Sequence, residues 1–378
     1  RGYHVDTLDL FAARARTIFT KQTAHELGVE EDTIKKDLGQ VLRKLEELQE
    51  ERIKKALAPK TKTADVSEAE REEALVGLRD PNLVENALAE FRRCGMIGEE
   101  ANLEVGLLAG VSRFFDEPLA VIIQSSSSAG KTWLMENILS FFPPEDVVQY
   151  SAITGQSLFY MGETDLAHKI LAISEGAGAE KASYSLKLLQ SEGKLKIAST
   201  GKDPVTGLLT THEYVVKGPV ALFLTTTAID IDEELMNRCI VLTMNEGRGQ
   251  TQAIHRTQRE AETLDGLFAR RERDDVEKRQ RNMQRSIRPL AVANPYAPRL
   301  TFADHRTRMR RDNKKYLTMI RAYGLWHQYQ RAAKTEVRGG RRVEYVEAVK
   351  EDIRRANRLA NEVLGRSLDE MPPHTRRV

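Results

Sequence analysis

The sequence predicts an α/β protein in which helices cover both faces of a parallel sheet. Four short apolar segments, at 119–124, 169–175, 220–224 and 240–244, have the length and composition of buried strands. Helical sequence separates them, and strands that alternate with helices form parallel sheets. The composition, 40% hydrophobic and 30% charged over 378 residues, is typical of a folded globular chain and excludes an intrinsically disordered one.

The part before the first apolar segment is predicted to be helical. Residues 1–60 form a helical N-terminal segment in this prediction, because apolar residues recur at helical spacing between Leu38 and Leu48. Residues 24–29 fit either a helix-turn-helix or a plain helical hairpin, and we favour the hairpin. Residues 61–82 are predicted to be a linker. The first residue is Arg1 rather than Met, so we expect a piece of a longer protein.

Composition excludes several other classes of protein. Two cysteines, Cys94 and Cys239, are too few for a disulfide framework or for a structural zinc site of their own. No apolar run approaches the roughly 20 residues that span a bilayer, and no secretory signal precedes the helical segment. We therefore expect a cytoplasmic protein without a membrane partner.

A small, polar loop follows the first predicted strand and precedes a helix. The sequence SAGKT at 128–132 fits the end of the phosphate-binding pattern G-x-x-x-x-G-K-[ST], although Ser125 stands at the first glycine. In that pattern, backbone N–H groups at the helix N-terminus bind phosphate, a lysine (Lys131) reaches the β and γ phosphates, and a hydroxyl (Thr132) binds Mg²⁺. The alternative is a serine-rich surface turn.

The nucleotide-binding prediction covers the whole loop and the first turn of the helix. Its members are Ser126, Ser127, Ser128, Ala129, Gly130, Lys131, Thr132 and Trp133. For Trp133, a packing role is the more plausible alternative to stacking on a base.

Polar residues also end the second and third predicted strands. Glu175 is expected to orient and polarise an attacking water beside the phosphate loop. Ser174 stands where an Asp usually steadies Mg²⁺, so a hydroxyl replaces that carboxylate. Thr227 ends the third strand and could sense the γ-phosphate or the water, with Thr225 and Thr226 as rivals. Packing alone would also explain threonines in a strand.

Arg238 precedes the fourth predicted strand. A positioned arginine stabilises charge on a phosphoryl group in transfer, and it can be supplied by a neighbouring subunit. A surface arginine is an equally good reading of the spacing alone.

Residues 194–217 interrupt the alternation of strands and helices. Two β-prone runs flank a turn rich in Gly, Asp and Pro, which predicts a β-hairpin. Lys202 lies at its tip, and Lys194 and Lys196 lie at its base. In the channel of a ring, such a basic hairpin would bind DNA phosphates without reading bases. Exposed lysines in an ordinary turn are the alternative.

The formal net charge of +2 conceals an uneven distribution. Residues 1–250 sum to −11 and residues 251–378 to +13. The asymmetry indicates either a polyanionic partner or a basic helical face whose charges are paired with acidic neighbours.

The order of loop, strand-end Glu175, hairpin, strand-end Thr227 and Arg238 resembles the AAA+ ATPases. A hairpin just before the third motif is similar to the clade that includes MCM and superfamily-three viral helicases. The resemblance covers residues 81–250 well and 251–365 less well. It implies an ATPase core at 83–250, a basic helical lid at 251–378, and a homo-oligomeric ring, expected to be a hexamer, with ATP and Mg²⁺ between neighbours.

The same resemblance implies individual roles. Lys131 and Thr132 would bind phosphate and Mg²⁺, and Glu175 would activate water. Thr227 would be the first sensor and Arg238 the arginine finger, and Lys202 would contact DNA. The lid of that clade carries a second sensor arginine, for which Arg311 is our choice, with Arg310 and Lys314 as rivals.

Residues 9–45 resemble the segment that follows the catalytic domain of bacterial DNA primases. This is similar to mobile-element primase–helicase fusions and implies the helicase half of one, with a primase as a covalently fused partner. The expected function is therefore an ATP-driven, ring-forming helicase or translocase on single-stranded or forked DNA. One alternative is an AAA+ switch or loader that remodels a protein partner without unwinding DNA. Another is a structural module that does not hydrolyse ATP.

Overall fold

A computed structural model describes most of the chain. It covers residues 13–41, 44, 66–151, 166–174, 179–202, 209–228 and 232–364. Two units are distinguished, one made of residues 1–60 with 198–213 and the other of 61–197 with 214–378. In the first unit, Ala13–Leu27 forms helix α1 and residues 31–41 form helix α2. The second unit contains the central sheet and the helices packed on it.

Parallel strands form the centre of the second unit. The strands up to residue 242 are β1 (Ala120–Gln124), β2 (Val147–Tyr150), β3 (Lys169–Ile173), β4 (Lys194–Lys202), β5 (Leu209–Lys217), β6 (Val220–Thr226) and β7 (Ile240–Leu242). Five of them form one sheet in the order β2-β3-β6-β1-β7, and all neighbours are parallel. The four predicted strands are confirmed, and β4 pairs with β5 as the predicted hairpin. The sequence prediction missed β2, a four-residue strand at the sheet edge.

Helices follow or separate these strands. They are α3 (Glu68–Arg79), α4 (Leu83–Arg93), α5 (Glu100–Val111), α6 (Lys131–Ser140), α7 (Ala179–Glu192), α8 (Glu233–Arg238), α9 (Arg248–Glu260), α10 (Leu264–Ser286), α11 (Met309–Trp326) and α12 (Lys350–Val363). Short 3₁₀ turns occupy Ser112–Phe114, Pro144–Asp146, Ala297–Arg299 and Gln328–Gln330.

Both faces of the sheet are covered, because alternate strand residues point to opposite sides. Val121, Ile123 and Phe223 belong to a large apolar core on the face where α5 and α6 pack. Ile122 and Leu222, which point the other way, are also buried, and α7 packs against β6. The near-continuous apolar composition of the strands follows from this double burial.

Part of the segment predicted as a linker is a helix of the core. Ser67 caps α3, accepting a hydrogen bond from the Glu70 N–H at 3.3 Å while the Glu70 carboxylate accepts one from the Ser67 N–H at 2.9 Å. Ala74 and Leu78 are fully buried, and α3 packs on α10. The linker prediction for 61–82 is therefore wrong over Glu68–Arg79. This helix has a narrow apolar stripe among many glutamates, so its sequence shows little apolar periodicity.

The region predicted as a helical lid contains a small sheet. Strands β8 (Ala291–Ala293), β9 (Lys334–Arg338) and β10 (Arg341–Glu347) lie in the order β8-β10-β9. β10 is antiparallel to β9 and parallel to β8. The prediction of a helical lid region missed these strands, although Gly339-Gly340 between β-prone runs is a hairpin signal.

No helix in the described ranges is both long and apolar enough to cross a membrane.

The burial of β6 predicts the effect of a cavity in the core. Phe223 has no exposed surface, so Phe223→Ala is expected to lower the free energy of unfolding by about 3–5 kcal/mol. Val76, on α3, is 61% exposed, and Val76→Ala should change it by less than about 0.5 kcal/mol. Urea titration of both variants checks this, and similar losses would contradict the placement of Phe223.

Candidate functional site

The loop after β1 leads directly into the N-terminus of α6. Gly130 is the residue before the helix, with φ of +91°, and no side chain caps the first turn. Ser128 also lies in the left-handed region, with φ of +63°. The first N–H groups of α6 therefore have no intrahelical acceptors, and the helix dipole adds positive potential there. Such a terminus is suited to bind a phosphate group.

Ser125, at the position of the missing glycine, is accommodated without strain. Its φ is not positive, so glycine is not required at this place. The side chain is buried, and its hydroxyl donates to a Glu246 carboxylate oxygen at 2.5 Å. The Ser126 N–H donates to the same oxygen at 3.2 Å. Glu246 thus fixes the start of the loop to the segment after β7, a role the sequence prediction missed.

Lys131 lies folded within the loop. It is 9% exposed, and its ammonium donates to the Ser126 carbonyl at 2.6 Å. The next two side chains, Thr132 and Trp133, are exposed on the first turn of α6. Trp133 is not a core residue: it is 47% exposed, and the Arg273 guanidinium lies 5.2 Å from its ring centroid. The loop therefore carries a positive charge and a free hydroxyl close to its N–H groups.

The strand order brings further predicted residues to the same edge. β6 lies between β1 and β3, so the ends of these three strands are adjacent, about 5 Å apart from strand to strand. Thr225 is buried and its hydroxyl donates to the Ser174 carbonyl, which fixes the end of β3 against β6. Thr227 is exposed just beyond β6. Glu175, the predicted base, lies outside the described residues.

A cavity of about 450 Å³ adjoins the loop on the β7 side. Its walls are the start of α5 around Glu99, the segment from Thr243 to Glu246, and two residues of α12, Arg358 and Glu362. Its size is in the range of pockets that bind small organic ligands. No sequence motif identified this cavity, because its walls come from three distant parts of the chain.

Arg358 is held by a buried carboxylate at the back of this cavity. Glu104, on α5, has no exposed surface and accepts from Arg358 at 2.5 Å and from the Tyr323 hydroxyl at 2.5 Å. Burial, with the carboxylate close by, raises the pKa of Tyr323 well above its usual range. The phenol therefore stays protonated and keeps donating.

Arg238 and Arg311 lie together, and they lie at the opposite end of the sheet. Both line a cavity of about 180 Å³ next to Pro118 and Leu119, just before β1 begins. The loop follows the other end of β1, six residues along an extended chain or about 20 Å away. The structure therefore brings the two predicted arginines to each other and not to the phosphate loop of their own chain.

A buried lysine ties the segments that carry these arginines. The Lys315 ammonium donates to the Cys239 carbonyl and to an Asp312 oxygen, each at 2.8 Å. Burial lowers the pKa of Lys315, while the Asp312 carboxylate opposes that shift. Because Cys239 follows Arg238 directly, this bond fixes α11 to the segment that carries Arg238.

The Arg238 guanidinium has an acidic partner within its own helix. It donates to a Glu234 carboxylate oxygen at 2.7 Å, and Lys187 donates to the other oxygen at 3.1 Å. These bonds, with the one from Arg238 contributing most, lower the pKa of Glu234 to about 2. A second anion would therefore compete with Glu234 for Arg238 or bind its remaining N–H donors.

The residues predicted to bind Mg²⁺ form a sparse donor set. Thr132 and Ser174 offer neutral hydroxyls, and the described ranges contain no group of three or more His, Cys, Asp or Glu side chains placed to hold a metal. Mg²⁺ prefers several oxygen ligands and retains water and phosphate oxygens. These residues fit an ion that arrives with a nucleotide and not one held by the protein alone.

Of the predicted DNA-binding lysines, Lys194 and Lys196 are exposed at the start of β4. Lys202 ends that strand, and its side chain lies outside the described part of the structure.

No protein-family model matches the chain, and no curated protein sequence matches it.

The loop conformation predicts opposite effects for two neighbouring substitutions. Ser128→Gly removes a side chain from a left-handed residue and should stabilise the protein by about 0.5–1 kcal/mol. Ser127 does not have a positive φ, and Ser127→Gly should lower stability by up to about 1 kcal/mol through backbone entropy. Urea unfolding measures both, and destabilisation by Ser128→Gly would contradict the loop geometry.

Proposed function

We propose that this protein is an AAA+-type ATPase that assembles into a ring, expected to be a hexamer, and moves on single-stranded or forked DNA. The observation that carries the proposal is the placement of the phosphate loop and the arginine pair, Arg238 with Arg311, at opposite ends of one parallel sheet. A subunit with this arrangement has both halves of a phosphoryl-transfer site. It cannot bring them together, so a complete site requires two subunits arranged head to tail.

The first half of the site is the phosphate loop. The N–H groups at the start of α6 would bind the β- and γ-phosphates, and Lys131 would turn from the Ser126 carbonyl to the γ-phosphate. Thr132 would contribute a hydroxyl to Mg²⁺, which neutralises phosphate charge when bound. Glu175, two positions after β3 ends, would accept a proton from the attacking water. Thr227, at the neighbouring strand end, would help to orient that water.

The cavity beside the loop suits the nucleoside. It is continuous with the loop through Glu246, whose carboxylate binds Ser125 and Ser126. Arg358, from α12, would contact the nucleotide from the lid side. Binding there would link the state of the nucleotide to the position of the lid.

The second half of the site is supplied by the neighbour. Arg238 would stabilise charge on the γ-phosphoryl group, and Arg311 would act beside it. Arg311 would therefore serve the adjacent subunit, since about 20 Å separates it from the loop of its own chain. Glu234 would hold Arg238 in place until a nucleotide phosphate replaces it.

Movement on DNA is assigned to the β4–β5 hairpin. Lys202, with Lys194 and Lys196, would contact backbone phosphates, and such contacts tolerate any sequence and weaken with salt. The segment that resembles a primase linker, residues 9–45, suggests a fused primase as partner. A turnover rate that DNA does not change would favour the alternative of a switch or loader acting on a protein.

Removing the loop lysine or the predicted base should abolish turnover by different routes. Lys131→Ala is expected to weaken ATP binding and to lower ATPase activity by about 100-fold or more. Glu175→Gln should still bind ATP but lower kcat by a similar factor, because only the proton transfer is removed. Steady-state ATPase with and without single-stranded DNA, together with nucleotide-binding titration, checks this. Undiminished turnover in both variants would exclude the proposed site.

Mixed rings test whether Arg238 acts on a neighbour. Arg238→Ala alone should lower kcat by about 100-fold or more. When Arg238→Ala and Lys131→Ala subunits are mixed in equal amounts, about a quarter of the head-to-tail interfaces pair an intact loop with an intact arginine. ATPase activity should return to roughly that fraction of the wild-type rate. A mixture that stays inactive while its subunits co-assemble would place Arg238 in its own subunit's site.

A further inference from the structure

The structure pairs many cations of the basic C-terminal region with carboxylates. Twelve cations between residues 281 and 360 form ion pairs with carboxylates; they are Arg281, Arg285, Arg288, Arg308, Lys314, Lys315, Arg331, Lys334, Arg338, Arg354, Arg355 and Arg358. Arg341 and Arg342 are exposed and have no ion-pair partner in the described part of the chain. The excess charge is thus concentrated partly at the turn between β9 and β10.

This turn is built to project. Gly339 and Gly340 have φ of +56° and +76°, the combination for a two-residue turn that matches strand twist. A Cβ built on either glycine would meet no atom within 4 Å, so the tip is open on every side. All five residues of β9 are exposed, as are the first three of β10. Only the base of the hairpin, at Val346, is buried.

The positions of the arginines at the tip lower the stability of the hairpin. Arg338 and Arg341 are direct cross-strand partners, and like charges placed opposite each other destabilise a sheet. Glu336, two residues along the strand, pairs with Arg338 at 2.8 Å, but the Arg338 side chain remains 85% exposed. An exposed pair of this kind contributes little. A bound anion between the two arginines would remove the repulsion.

The pleat distributes the tip arginines to both faces of the ribbon. Arg338 and Arg341 share one face, and Arg342, opposite Val337, lies on the other. A two-stranded ribbon fits the major groove of duplex DNA, whose two walls are lined by phosphates. In that position each face of the ribbon would meet a different strand of the duplex.

We propose that the β9–β10 hairpin is a second nucleic-acid contact, in which Arg338, Arg341 and Arg342 bind backbone phosphates of duplex DNA. The site is separate in sequence from the β4–β5 hairpin assigned to single-stranded DNA, and its recognition is independent of sequence. It requires neither ATP nor the phosphate loop, so it can be tested apart from the ATPase proposal.

The test compares two variants of equal charge. The tip variant carries Arg338→Gln, Arg341→Gln and Arg342→Gln. The control variant carries Arg79→Gln, Lys350→Gln and Arg354→Gln, three exposed cations that lie on helices and not at the hairpin tip. Fluorescence anisotropy without nucleotide measures binding to a labelled duplex of about 20 base pairs and to its single strand, between about 50 and 200 mM salt. Circular dichroism melting confirms that both variants fold.

The tip variant is expected to bind the duplex about 10-fold or more weakly than the control variant. Its plot of log affinity against log salt should be shallower by about 2 to 3, which corresponds to three lost phosphate contacts. Equal duplex binding by the two variants would overturn the proposal. So would a loss confined to single-stranded DNA, or a changed oligomer size with unchanged DNA binding.

The experiments distinguish a failure of the ATPase proposal from a failure of the duplex-contact proposal. If Lys131→Ala hydrolyses ATP like the wild type while the tip variant loses duplex binding, the ATPase site is wrong and the duplex contact is supported. If turnover depends on Lys131 and the tip variant binds duplex normally, the ATPase site is supported and the duplex contact is wrong.

Discussion

The parallel direction of the five-stranded sheet is the constraint that decides where the loop, the strand-end residues and Arg238 lie. Because all five strands run in one direction, everything that follows a strand lies at one edge and everything that precedes a strand lies at the other. The phosphate loop, Ser174 and Thr227 follow β1, β3 and β6. Arg238 precedes β7, so the same strand direction that brings the loop, Ser174 and Thr227 together keeps Arg238 at the opposite edge.

Buried polar clamps fix the helices of the lid region to this sheet. Lys315 ties α11 to the residue before β7, and Glu104 on α5 is bound by the Tyr323 hydroxyl of α11 and Arg358 of α12. A buried charge without its partners is costly, so these clamps favour one placement of the helices over slipped alternatives. Through Glu104 and Arg358, these clamps connect the cavity beside Glu246 with both α11 and α12. The Arg238–Glu234 pair differs in kind, because its partner sits at the surface and can be exchanged.

In the sequence, the C-terminal cations form one basic region. In the fold, some of them pair with carboxylates and others do not. Five cations of residues 281–360 pair with carboxylates outside that region, such as Glu104 and Glu145, and seven others pair with carboxylates inside it. Among the others, Arg311 lies beside Arg238 at the cavity next to Leu119, and Arg341 and Arg342 lie at the β9–β10 turn. Net charge alone could not have separated paired cations from unpaired ones, because the pairing partners are up to 270 residues away.

The sequence by itself determined the four buried strands, the β4–β5 hairpin and the loop at 125–130, because hydrophobic period and turn residues act locally. It did not determine β2 or the small lid sheet, whose strands are short and partly exposed, nor that α3 belongs to the core. Only the tertiary structure decided that the Ser125 hydroxyl binds Glu246 and that Arg311 lies with Arg238 far from the loop. The physical reason is that strand order and long-range hydrogen bonds determine these contacts. Neither produces a periodic pattern in the sequence.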